Sequence, residues 1–125
     1  MRSFNIFSAF LLRFRYPLSL PEDIALALGI EISNQLSFNE FVNFLTCPLC
    51  CPTRLAKFMP RELAEKAFEK APCKEKFRDR TLISFKFNEG WMEFDLQFDS
   101  ESRLRRVYIQ HKTITNERGV EIKLR

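Results

Sequence analysis

The sequence predicts an α+β fold: an N-terminal strand, three to four short helices, and a four-stranded antiparallel β-meander with the helices packed on its Phe-rich face. Three observations carry this prediction. Apolar residues recur at helical spacing between residues 20 and 72, from residue 81 onward the period switches to two, and short turn signals separate the four alternating runs. The 125 residues amount to one domain, 1–125, made of an N-terminal segment 1–19, a helical part 20–72 and the meander 81–125.

Taken in chain order, Leu12, Phe14 and Tyr16 alternate with Leu11, Arg13 and Arg15, the pattern of a half-buried strand that Pro17 ends. Ser19-Leu20-Pro21-Glu22 has the Ser-x-x-Glu spacing of a capping box, with Pro in the first turn where its missing N–H is not needed. It opens a helix Leu20–Leu28, and Gly29 supplies the left-handed residue after its end. A second box, Ser37 to Glu40, opens a helix to about Thr46 with Phe38, Phe41, Val42 and Leu45 on one face. Pro48 and Pro52 interrupt the chain, and a short helical piece is expected over Thr53–Phe58. Pro60 starts the most regular helix, Pro60–Ala71, whose apolar face is Leu63, Ala64, Ala67, Phe68 and Ala71; Pro72 stops it.

After a charged bridge, Lys74 to Arg80, Ile83, Phe85 and Phe87 alternate with Leu82, Ser84 and Lys86. The turn Asn88-Glu89-Gly90 leads to Met92, Phe94, Leu96 and Phe98, alternating with Trp91, Glu93, Asp95 and Gln97. Two further runs follow, Val107, Ile109 and His111, then Val120, Ile122 and Leu124. Strands of this kind have one buried and one wet face, so the wet face is expected to carry Trp91, Glu93, Asp95, Arg106 and Tyr108.

Composition narrows the function. The chain is 46% hydrophobic and 29% charged, the profile of a globular protein, and only three glycines leave no Gly-rich loop for a phosphate. The apolar run of residues 4–12 is cut by Arg13 and Arg15 without a small-residue cleavage site, and no stretch reaches the roughly 20 apolar residues of a membrane helix. A cytoplasmic location is expected. Net charge is +4, and it is concentrated in residues 47–80, where nine basic face five acidic residues. Such a surplus permits an anionic partner without requiring one.

Four motifs bear on chemistry. Cys47-Pro48-Leu49-Cys50 resembles one knuckle of a zinc ribbon, and Cys47, Cys50 and Cys73, closed by Cys51 or His111, are the thiols and imidazole that would complete a Zn or Fe–S site. The same pair read as a redox dithiol needs a lowered thiolate pKa at a helix start. Otherwise these small thiols fill a helix junction, and no cofactor is expected. Adjacent Cys50 and Cys51 fit a disulfide framework poorly. Asp23 to Ile30 looks like the first half of a helix-turn-helix, but Gln35 stands where an apolar residue belongs and the second helix brings Glu40 rather than Arg or Lys. Leu36 to Phe41 resembles the end of an EF-hand loop, with too few oxygen donors upstream for calcium. His111 has no partner placed by sequence, and Glu93 and Asp95, which share a strand face, read as a solvated pair opposite Arg106 rather than as paired catalytic carboxylates.

The expectation is a small non-catalytic interaction, regulatory or assembly protein that docks a protein partner through Trp91, Glu93, Arg106 and Tyr108, because exposed Trp, Tyr and Arg are enriched at binding hot spots. A nucleic-acid binder using the segment 20–46 and the basic stretch 54–80, with Arg54, Lys57, Arg61 and Lys66 on the phosphates, is the alternative. A thiol-based metal or redox protein is the third.

Overall fold

The computed structural model describes residues 17–32, 36–47, 50, 52–114 and 119–125. Among these residues, three helices, α1 (Pro21–Leu28), α2 (Phe38–Leu45) and α3 (Arg61–Ala67), precede five strands. The strands are β1 (Cys73–Lys76), β2 (Arg80–Phe87), β3 (Gly90–Phe98), β4 (Leu104–Gln110) and β5 (Val120–Ile122). The fold is α+β, and the sheet is antiparallel throughout in the order β1-β2-β3-β4-β5. The strand expected over residues 10–16 lies outside the described residues.

The sheet has one strand more than the alternation predicts. Cys73-Lys74-Glu75-Lys76, read as part of a charged bridge, pairs with Ser84 to Thr81 as an edge strand. An edge strand is where charge is tolerated, because long Lys side chains reach water from either face. The helix expected over Pro60–Ala71 is shorter at both ends. Phe68 leaves it at φ −101° and is fully buried, and Leu63, expected on the apolar face, is exposed. The piece expected over Thr53–Phe58 is a succession of bends and turns, not a helix.

The cap of α1 also moves by one residue. Leu20 is the N-cap, its N–H donates to Asp23 Oδ2 at 3.0 Å, and Ser19 instead ties the chain to β2. Ser19 N donates to Lys86 O at 2.7 Å and Ser19 Oγ accepts from Lys86 N at 3.3 Å. Gly29 ends α1 at φ 72° with its N–H on Ala25 O at 2.8 Å, as expected. The backbone there is crowded by Thr53, whose hydroxyl donates to Gly29 O at 2.5 Å. Ser37 caps α2 in a reciprocal box with Glu40, at 3.2 and 2.8 Å.

All three helices pack on the inner face of the sheet. Ile24, Leu28, Phe41, Leu45, Ala64 and Phe68 meet Ile83, Phe85, Met92, Phe94, Leu96 and Ile109 in one buried cluster. Phe68, Phe85 and Phe94 form an aromatic triangle with centroids 5.3 to 6.3 Å apart, Phe85 and Phe94 edge to face. Val107 and Ile109 are fully buried and Phe87 and Phe98 nearly so, in the register that the period of two implies.

One irregularity interrupts that register. Gln97 pairs with Arg106 while Phe98 pairs with Leu104, so Arg105 is the extra residue of a β-bulge. The bulge resets the alternation: Leu104 and Val107 are both inward and fully buried, with Arg105 and Arg106 both exposed between them.

Candidate interaction site

The bulge aims Arg105 toward the loop before α3, where Phe58 sits. Phe58 has φ 72° and Ser102, across from it, has φ 60°; these are the two non-glycine residues with positive φ among the described residues. A left-handed backbone costs an L-residue roughly 1–2 kcal/mol and is a true outlier for a bulky side chain. The surroundings hold it in place. Phe58 N donates to Leu104 O at 2.6 Å, Leu104 N to Met59 O at 2.9 Å, Arg61 N to Ser102 O at 2.9 Å and Lys57 N to Arg125 O at 3.0 Å. Pro60 and Arg103 add an antiparallel bridge.

This clamp presents the Phe58 ring outward at 48% exposure, with the Arg105 guanidinium 4.9 Å and the Arg103 guanidinium 5.7 Å from its centroid. Both distances are within cation–π range. Asp99 steadies the two arginines from the adjoining turn, at 3.5 Å to Arg103 and 3.7 Å to Arg105, and Glu101 also pairs with Arg103. The backbone N–H of Arg103 on the Asp99 carboxylate holds its pKa below the usual value; partial desolvation opposes this, and the N–H of Glu101 and the two arginines reinforce it. A polar hollow of about 600 Å³ opens beside the turn, lined by Arg78, Asp79, Phe98, Asp99, Ser100 and Ser102. Chemically the corner offers a rigid apolar plate rimmed by guanidinium donors and carboxylate acceptors.

The residues expected to dock a partner on the outer sheet face are not gathered into one patch. Trp91 pairs with Lys86 at one end of β3, whereas Arg106 pairs with Gln97 at the other. Six residues of strand separate them, about 20 Å. Tyr108 faces Asp95 midway. Arg106 is exposed and Trp91 and Tyr108 are half-buried, but Glu93, expected on a wet face, is only 4% exposed.

Of the basic residues expected on nucleic acid, Arg54, Lys57 and Lys66 are exposed, and Arg54 donates to Leu26 O at 3.0 Å. Arg61 is a correction. It is 8% exposed and its guanidinium serves the fold: it donates to Glu65 Oε2 at 3.1 Å, to Arg78 O at 2.8 Å, to Phe77 O at 2.5 Å, and to Arg80 O and Thr81 Oγ1 at 3.0 Å. It also lies 4.7 Å over the Phe98 ring. Burial raises the Glu65 pKa, but hydrogen bonds from Thr81 and Arg61 outweigh it, with Lys76 and the Arg61 charge helping, so the carboxyl titrates below its ordinary value.

Among the described residues, the thiols Cys47, Cys50 and Cys73 are not gathered as one set of three ligands. Cys47 follows α2, with Cys50 N donating to Cys47 O at 2.9 Å. Cys73 stands on β1 at the far edge of the sheet, opposite Ser84. Burial pushes its thiol pKa up, and the carboxylates of Glu75 and Glu93 add to that. Cys51 lies outside the described residues. Among the described residues no three His, Cys, Asp or Glu side chains are grouped to hold a metal ion. His111 is a nearly buried residue that pins a turn: Thr113 N donates to Nδ1 at 3.2 Å, leaving Nε2 to donate to Glu89 O at 3.0 Å. Among the described residues, no helix is long and apolar enough to cross a membrane.

Sequence reading missed Phe58, Arg103 and Arg105. Fourteen phenylalanines make any one of them read as core, and a bulge carries no Gly or Pro here to announce it. The chain matches no family model, no curated protein and no solved structure.

Proposed function

We propose that the protein is a small non-catalytic interaction protein, regulatory or scaffolding, that docks a protein partner at the corner of Phe58, Arg103 and Arg105. One observation carries this reading: a bulky aromatic, exposed and strained, is held beside two arginines by a clamp of backbone hydrogen bonds. Strain of this kind gathers at functional sites, and an immobilised aromatic beside Arg is the usual composition of an interface anchor. Because ring and guanidinia are already ordered, little side-chain entropy is lost on association. Pairing of both arginines with Asp99 and Glu101 favours a partner of mixed polarity over a polyanion. Trp91, Tyr108 and Arg106 are a second, more dispersed set for the same kind of contact.

The test is affinity capture from the native host with nuclease-treated lysate, comparing wild type with Phe58→Ala. Capture weakened by 2 kcal/mol or more in Phe58→Ala, at unchanged melting temperature, is expected of an anchor. Loss of all capture on nuclease treatment would replace this reading with nucleic-acid binding through Arg54, Lys57 and Lys66. Capture insensitive to Phe58→Ala but lost in Trp91→Ala would move the anchor to the sheet face.

A further inference from the structure

Cys47 and Cys50 are held at the two ends of one tight turn, closed by Cys50 N donating to Cys47 O at 2.9 Å. With standard bond lengths, that contact limits the separation of the two Cα atoms to about 6.8 Å. A disulfide spans roughly 4.4–6.8 Å between Cα atoms, so the backbone already stands at bridging distance. The chain is anchored on both sides of the turn. Cys47 N donates to Phe44 O at 3.2 Å where α2 ends, and Thr53 N and Arg54 N both donate to Leu28 O, at 2.9 and 3.1 Å. Both thiols are in the reduced state.

We propose that Cys47 and Cys50 form a dithiol site that exchanges with small disulfides of the glutathione class and closes into a reversible intramolecular disulfide. Geometry and sequence select this pair. The residue after Cys47 in the sequence is proline, the type favoured at the second position of such a turn. Exposure sets the order of events, since Cys47 is half-buried and open to a reagent whereas Cys50 is only 5% exposed. Cys73 belongs to β1, where burial and the charges of Glu75 and Glu93 raise its pKa and leave less of it as the reactive thiolate.

The exchange runs in two steps. The Cys47 thiolate attacks one sulfur of the external disulfide, forming a mixed disulfide and releasing one thiolate. Cys50, its proton lost to solvent, then attacks Cys47 Sγ and releases the second thiolate. Two electrons pass from the cysteine pair to the external disulfide, the two thiol protons go to solvent or to the released thiolates, and excess thiol reverses both steps. Residues 53–58 run as bends and turns, so no helix dipole just beyond the pair assists the attack. The site is therefore a slow acceptor of oxidation rather than a turnover catalyst. It is independent of the Phe58 corner, and neither measurement below involves a protein partner.

Two experiments test it. Native, fully reduced wild-type protein is incubated with oxidised glutathione, quenched in acid, alkylated with N-ethylmaleimide and mapped by fragmenting the tryptic peptide 16–54, which holds Cys47, Cys50 and Cys51. The expected product has lost two hydrogens, carries the bridge between Cys47 and Cys50, and leaves Cys51 and Cys73 alkylated; dithiothreitol restores the starting mass. A bridge to Cys51 instead, glutathione adducts without a bridge, no reaction, or a bridge that forms only in urea would each overturn the proposal. In full-length Cys50→Ser the glutathione adduct at Cys47 is expected to persist at least ten times longer than in wild type. An equal lifetime in a folded variant overturns the proposal, and if the variant does not fold the wild-type mapping decides alone.

Discussion

Arg61 and Thr81 share a hydrogen bond of 3.0 Å inside the protein, where each is almost fully buried. Thr81 passes the link on by donating to Glu65 Oε2 at 2.5 Å, and Glu65 returns to Arg61 Nε at 3.1 Å. The three side chains close a ring that ties the start of α3 to the start of β2. The same guanidinium collects the carbonyls of Phe77, Arg78 and Arg80, so it also ends the turn between β1 and β2.

Arg61→Ala is therefore expected to lower stability by about 3–5 kcal/mol, the range for breaking a buried charged network from one side. Arg61→Lys recovers little, because one ammonium lacks the planar fork that meets five acceptors at once. Urea denaturation of both variants checks this. A loss below 1 kcal/mol in Arg61→Ala would show that water replaces the network without penalty.

Phe94→Ala removes the ring that meets Phe68 at 5.3 Å and Phe85 at 5.9 Å. The expected cost is on the order of 3–5 kcal/mol, as for other buried Phe truncations. The chevron or equilibrium midpoint gives the value directly.

Strain at Phe58 has its own signature in stability. Phe58→Gly relieves the left-handed backbone and is expected to leave stability unchanged or raise it by up to about 1 kcal/mol. Phe58→Val keeps the strain and adds a β-branch, and it is expected to fall roughly 2 kcal/mol below the glycine variant. Thermal melts of the pair measure the difference, and equal melting temperatures would mean that the loop relaxes.

Acid sensitivity follows from His111. Burial lowers its pKa from the ordinary 6.5; the Glu89 carbonyl opposes that, Lys112 reinforces it and the Glu89 charge opposes it. A folded-state pKa below the unfolded one means that the unfolded chain takes up the proton first. Stability is full above pH 6.5 and declines as pH falls from there toward the folded-state value. Glu65 and Asp99, whose carboxyls titrate below their ordinary values of 4.5 and 3.8, are lost only at lower pH. His111→Gln is expected to flatten the melting-temperature profile between neutrality and about pH 5 and to leave the more acidic limb in place.

The core strands were legible from period alone because Ile83, Phe85, Met92, Phe94, Val107 and Ile109 face a single apolar layer. β1 was not, since its Lys74 and Lys76 sit where an interior strand would need apolar side chains. The Phe58 corner was hidden for another reason. Its geometry arises from an inserted residue at position 105 and from a backbone conformation that no side chain there advertises. Arg61 shows the converse error: charge in a basic stretch reads as surface, and only the carbonyls converging from the β1–β2 turn reveal that it is interior.

The strand order carries a kinetic consequence. Every strand pairs with its immediate predecessor, and β2 and β3 close across only Asn88 and Glu89. Hairpin by hairpin, the sheet can assemble with small losses of chain entropy at each step. The Ser19–Lys86 link, by contrast, joins positions 67 apart. The meander is thus the part of the chain able to form early, and the N-terminal half must find a template already standing.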